Sequence, residues 1–109
     1  MTQNISEVTE QNFDLFIKDG LVFIDFYADW CMPCLMMAPI IEEIGKKFKG
    51  KIKFGKINID ENIELAKRFE IRSIPSFIIF EDGKIKERFI GTMYIKELED
   101  KLKKYIKQN

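Results

Sequence analysis

The 109-residue chain is 46% hydrophobic and 13% aromatic, enough apolar material for one compact core and too little chain for two, so a single domain over residues 1–109 is expected. Its 18 basic and 18 acidic residues cancel to a formal charge of +0. With no chain-wide field to hold them, nucleic acid and an anionic membrane surface are excluded as expected partners.

Residues 1–11 are polar and mixed in charge, without the basic start and apolar run of a secretory signal or anchor, so the expected compartment is the cytoplasm. Residues 5–8 suit a short edge strand. Thr9 is placed to cap a helix whose apolar Phe13, Phe16 and Ile17 share one face, and Gly20 is placed to end it.

Residues 21–27 form a nearly continuous apolar run, the pattern of a central strand buried on both faces, broken only by Asp25. Cys31, Met32, Pro33 and Cys34 follow directly. Met37, Ile41, Ile44 and Phe48 then mark an amphipathic helix over residues 33–49, with a bend expected at Pro39.

Residues 51–59 read as the next strand, and Asp60 is placed to cap a short helix that turns Leu65, Ala66 and Phe69 inward. Residues 76–81 and 84–90 are two strands around Asp82 and Gly83, a pair that tolerates the positive φ of a tight hairpin. A closing helix stripes Ile95, Leu98, Leu102, Tyr105 and Ile106 along one face. Its Lys101, Lys103, Lys104 and Lys107 alternate with Glu97, Glu99 and Asp100 and read as a solvated face.

The chemistry concentrates in the cysteines. There are two, both within one C-x-x-C, and there is no histidine. One copy of the chain therefore lacks the tetrahedral set of thiolates and imidazoles that a structural zinc takes, and carboxylate ligands or a metal bridging two copies are the ways around this. A structural crosslink three residues apart would remove little unfolded-state entropy. What remains is a reactive pair.

Only a thiolate attacks a disulfide, and a cysteine at the start of a helix has its pKa lowered by the unpaired amides and dipole of the first turn. Cys31 occupies that position, before the helix and accessible, and Pro33 suits the first turn because its missing donor would go unused there. Cys34, one turn later, is placed to attack the mixed disulfide that Cys31 forms.

Asp25 would lose hydration if charged inside its apolar strand, so its pKa should be raised. It shares a strand face with Phe23 and Tyr27, where the following helix can cover it, and a carboxyl there can take the proton from Cys34 as that thiol attacks. The plainer alternative is a carboxylate bonded to a neighbouring backbone group or to Lys56. Pro75, after Ile74 and just before a strand, is open to either isomer on sequence alone.

These residues resemble the thioredoxin family over essentially the whole chain. The match runs through Asp25, Phe26, Tyr27, Ala28, Asp29, Trp30, Cys31, Met32, Pro33 and Cys34, then Ala38 and Pro39. It continues at Lys56, Asn58, Ile59 and Asp60, at Ile71, Arg72, Ile74 and Pro75, at the hairpin, and at Gly91. The resemblance implies an α/β thioredoxin fold, with a central five-stranded mixed sheet flanked by four helices.

It also implies that Pro75 is cis and faces the cysteines, and that Asp25 is a buried carboxyl with Lys56 beside it. A substrate strand would lie along the backbone at Ile74, against Trp30, Met32, Pro33, Pro75, Gly91 and Thr92, with main-chain bonds giving affinity. The implied activity is reduction of disulfides in client proteins by a monomer, with no cofactor besides the Cys31–Cys34 pair. A thioredoxin reductase, nicotinamide- or ferredoxin-linked, would recharge it. Where the family usually has Gly, often Trp, often Lys and often Gly, this chain has Met32, Tyr27, Leu35 and Ser73.

Other readings are an oxidant or isomerase, since the residues between the cysteines influence reduction potential, and a binding module that uses the apolar surface around Trp30 and Met32.

Overall fold

The chain is seen in a computed structural model that describes residues 4–106, so Lys107 and residues 1–3 of the amino-terminal stretch lie outside the described residues. The elements run β1 (Ser6–Glu7), α1 (Phe13–Phe16), β2 (Leu21–Tyr27), α2 (Met32–Lys47), β3 (Lys53–Asn58), α3 (Ile63–Arg68), β4 (Ser76–Glu81), β5 (Lys84–Ile90) and α4 (Ile95–Lys103). The strands form one mixed sheet in the order β1-β3-β2-β4-β5. β1 and β2 run parallel to β3, while β4 runs antiparallel to both β2 and β5.

Alternation along β2 divides the core. Val22, Ile24 and Phe26 face a cluster that holds Phe13 and Ile17 from the first helical segment and Leu65 and Phe69 from the α3 segment. Phe23 points the other way, among Met37, Ile41 and Ile44 of α2 and Leu98 and Leu102 of α4. A strand with helices on both faces has no solvated side, which is why its sequence is a continuous apolar run. Phe13, Phe23, Phe26, Phe77 and Phe80 are fully buried, each contributing about 1.5–3 kcal/mol of apolar burial.

The hairpin forms where expected: Asp82 and Gly83 have φ of 52° and 84°, the double positive φ of a type I′ turn. Asp82 also accepts a hydrogen bond from Gly20 N–H at 2.8 Å, which ties the hairpin to the start of β2. Gly55 permits a close approach, because a Cβ there would lie 2.7 Å from Val8 Cγ2 and 2.8 Å from Phe16 Cε2.

Several expected caps fall elsewhere. Thr9 lies in a turn, its N–H donating to Asn12 Oδ1 at 2.9 Å, and Asn12 is the residue that precedes the single-turn α1. Gly20 (φ 75°) lies beyond Ile17, the residue that closes α1, in the turn that leads into β2. Asp60 does not cap α3, because its carboxylate accepts from Trp30 Nε1 at 2.8 Å; Asn62 precedes that helix, and Glu10 Oε2 accepts from Glu64 N–H at 2.9 Å. At Asp60 a long-range partner outcompetes the local one, whereas at Thr9 the partner is local, three residues along the chain.

The boundaries shift similarly. α2 begins at Met32 and runs through Pro39, while Lys51 and Ile52 close its carboxyl end by donating to the Phe48 carbonyl, so that β3 starts only at Lys53. Ile95 remains 41% exposed, whereas Tyr105 and Ile106 pack on the core beyond the end of α4. The solvated lysines of α4 are partly engaged: Lys104 pairs with Glu87 at 3.1 Å, and Glu99 pairs with Lys47. Among the described residues no helix is long and apolar enough to cross a membrane.

Candidate active site

β2 delivers the chain through Ala28, Asp29 and Trp30 to Cys31, which is the N-cap of α2 with extended backbone (φ −89°, ψ 106°). Its Sγ accepts the otherwise orphaned N–H of Cys34 at 3.2 Å. A sixteen-residue helix thus aims its positive end at this sulfur, and Pro33 occupies a first-turn position that needs no donor. Cys31 and Cys34 are joined as a disulfide with their Cα atoms 5.2 Å apart. The arrangement favours negative charge on Cys31 once the bond is opened.

Across from the disulfide lies the turn into β4, where the Ile74–Pro75 bond is cis. The Ile74 carbonyl oxygen lies 3.8 Å from Cys31 Sγ. Gly91 donates its N–H to the Pro75 carbonyl at 2.9 Å and so sets the start of the next loop beside this turn.

Trp30, Cys31, Met32, Pro33 and Ile74 line one cleft of about 340 Å³, shared with Ile59, Ile71, Arg72 and Ser73. Thr92 lies in a separate cleft with Met36, Met37, Ile40, Met93, Tyr94 and Glu97. Against the expectation of an accessible thiol, Cys31 is only 4% exposed and Cys34 6%. The two sulfurs are closed in by Ala28, Tyr27, Ile59 and Ile74, while Trp30 and Met32 stand out on the surface at 70% and 65% exposure. Cys31 nevertheless lines the cleft.

In the middle of β2, Asp25 is buried, and its Oδ1 has no hydrogen-bond partner among the described residues. Burial pushes its pKa up to about 7; the Lys56 ammonium opposes the rise and the Glu7 carboxylate adds to it. Lys56 stands directly opposite Asp25 in the β2–β3 register. Its Nζ, however, lies 3.8 Å from Glu7 Oε1.

Sequence reasoning did not single out Glu7, although it stands on the same sheet rung as Lys56, nor the hydrogen bond from the Tyr27 hydroxyl to Glu7 Oε2 at 2.9 Å. It also passed over Arg72 and Ser73 as cleft walls, although they immediately precede Ile74 and Pro75. Among the described residues no group of three or more His, Cys, Asp or Glu is arranged to hold a metal ion.

The comparisons with known proteins agree with this geometry. The sequence profile of the thioredoxin family matches residues 4–107. A thioredoxin of Staphylococcus haemolyticus (strain JCSC1435) is 39% identical over 102 residues, covering 94% of this chain and 98% of that protein. A thioredoxin of Pseudomonas aeruginosa is 37% identical over 95 residues, covering 85% of this chain and 88% of that one. A thioredoxin of Chlamydia pneumoniae is 45% identical over 84 residues, covering 77% and 81% respectively. With a C-x-x-C pair at the head of a helix and similarity along nearly its full length, this chain belongs to the thioredoxin family.

Proposed function

We propose that the protein reduces disulfides in client proteins by reversible exchange at Cys31 and Cys34. The observation that carries this reading is the position of Cys31 as the helix cap: its sulfur accepts a first-turn amide and lines the cleft below Ile74. The Cys31 thiolate attacks one client sulfur, a mixed disulfide forms, and the other client sulfur leaves as a thiolate. Cys34 then gives its proton to the Asp25 carboxylate and attacks the Cys31 sulfur. The internal disulfide closes, the second client thiolate leaves, and two electrons have passed to the client.

A group that must accept a proton near neutrality works best with a pKa close to 7, the value that burial gives Asp25. Lys56 beside it tempers the cost of the charge. Client chain would lie extended against Ile74 and Pro75, flanked by the apolar Trp30, Met32 and Pro33 and by Gly91 and Thr92, with its backbone rather than its sequence recognised.

On this reading the whole chain acts as a single-domain monomer in the cytoplasm. It needs no cofactor beyond its own disulfide and is returned to the dithiol by a thioredoxin reductase, linked to a nicotinamide or to ferredoxin. The test is to mix the reduced protein with a disulfide-bonded substrate. Reduction that vanishes in Cys31→Ser is expected, and a rate equal to that of the Cys31→Ser control would end the proposal.

A further inference from the structure

Glu7 of β1, Lys56 of β3, Asp25 of β2 and Phe77 of β4 stand on one rung of the sheet. Residues in register project to the same face, so three ionisable groups lie in a row from the exposed sheet edge to its buried centre. Lys56 is the middle member and has one charge to share between two carboxylates. Its Nζ lies 3.8 Å from Glu7 Oε1 and 5.4 Å from the centroid of the Tyr27 ring. The Tyr27 hydroxyl donates to the other Glu7 oxygen at 2.9 Å, and its ring packs on the cluster of Ala28, Cys31 and Cys34. Glu7 is therefore held from two sides.

We propose that Glu7 is a positioning residue of the exchange reaction: anchored by the Tyr27 hydroxyl, it draws the Lys56 ammonium toward the sheet edge and so withholds it from the Asp25 carboxyl. This rests on the reading of Asp25 as the proton acceptor. Two effects act in the same direction, since the negative charge of Glu7 and the withholding of Lys56 both favour the neutral carboxyl.

Among the described residues, Lys56 and Glu7 are the charged groups whose fields act on Asp25. β4 presents Phe77, and Tyr27 shares the β2 face with Asp25. α2 turns Cys34, Met37, Ile41, Ile44 and Gly45 inward, and its half-buried Glu42 accepts a hydrogen bond from Asn4 instead.

The test follows the Asp25 carboxyl signal by carbon NMR through a pH titration of the oxidised protein, in which neither cysteine titrates. Glu7→Gln keeps the size of a side chain that is 46% exposed, and thermal unfolding checks that the variant folds. It is expected to lower the Asp25 midpoint by about one pH unit and to move the pH profile of Cys34 resolution down with it. In a Lys56→Met background the same substitution should shift the midpoint by about half as much or less, because the ammonium it releases is gone.

An unmoved midpoint in Glu7→Gln overturns the proposal, and so does an undiminished shift without Lys56. Failure of the underlying reading shows differently: Asp25→Asn would then resolve the mixed disulfide at the wild-type rate, whatever Glu7 does to the titration.

Discussion

The sulfur of Cys31 lies 3.8 Å from the carbonyl oxygen of Ile74, although the two residues are 43 positions apart in sequence. One comes from the cap of α2 and the other from the turn before β4, so the cleft exists only because β2 and β4 are neighbours in the sheet. The sulfur that lines this cleft is the one that should meet a client first.

Replacing Cys34 by Ser should leave Cys31 able to attack and unable to let go. Mass spectrometry of the reduced variant mixed with a disulfide-bonded protein is expected to find a stable mixed disulfide at Cys31. An equal yield from Cys31→Ser would mean that the two roles are reversed.

Asp25 makes stability depend on pH in a definite direction. Its pKa is 3.8 unfolded and about 7 folded, so between these values the folded protein binds more protons than the unfolded chain. Its contribution is fully present below about pH 4, is lost as the pH rises to about 7, and changes no further above that. Asp25→Asn should abolish this slope and make the oxidised protein more stable than wild type at pH 8, by about 2–4 kcal/mol. Denaturant unfolding at pH 4 and pH 8 measures it, and parallel losses in both proteins would contradict the burial argument. The same variant should slow Cys34 resolution more than Cys31 attack.

Met32 places a 65%-exposed thioether chain beside Cys31. Met32→Gly removes apolar contact from the proposed docking surface without touching a sulfur of the disulfide. We expect KM for a protein disulfide to rise about fivefold with kcat little changed, corresponding to about 1 kcal/mol of binding. A fall in kcat at constant KM would show that the residue acts on the chemical step instead.

Gly55 sits in β3 where a methyl group would lie under 3 Å from both Val8 and Phe16. Gly55→Ala should cost about 1–3 kcal/mol by forcing those side chains apart. Urea unfolding reads the loss. An unchanged midpoint would mean that the β1 edge yields freely.

Much of this protein was legible in one dimension. The seven-residue apolar run of β2, the helical spacing of Met37, Ile41, Ile44 and Phe48, and the Asp82–Gly83 turn each declare a local structure, because burial on both faces, 3.6-residue periodicity and positive φ all select residue types directly. The C-x-x-C at a strand-to-helix junction carried the chemistry in the same way, since helix caps and their dipoles are local properties. The cap at Asp60 was misread because its side chain has a distant competitor, and the one at Thr9 because Asn12, three residues on, precedes the helix instead. Asp60 is spent on the Trp30 indole, thirty residues away, and no spacing rule contains that bond.

Beyond the β4–β5 hairpin, the order of the strands and the contacts that follow from it belong to the tertiary structure. Alternation told which face Asp25 would occupy and the family resemblance implied Lys56 beside it, but only the sheet placed Glu7 on the same rung and turned one lysine into a charge contested by two carboxylates. The burial of both cysteines, at 4% and 6%, was likewise decided by side chains arriving from the Ile59 and Ile74 turns. Periodicity fixes which way a side chain points, because that is a property of the backbone next to it. What it then meets depends on desolvation and Coulomb fields from other strands, and these act through space rather than along the chain.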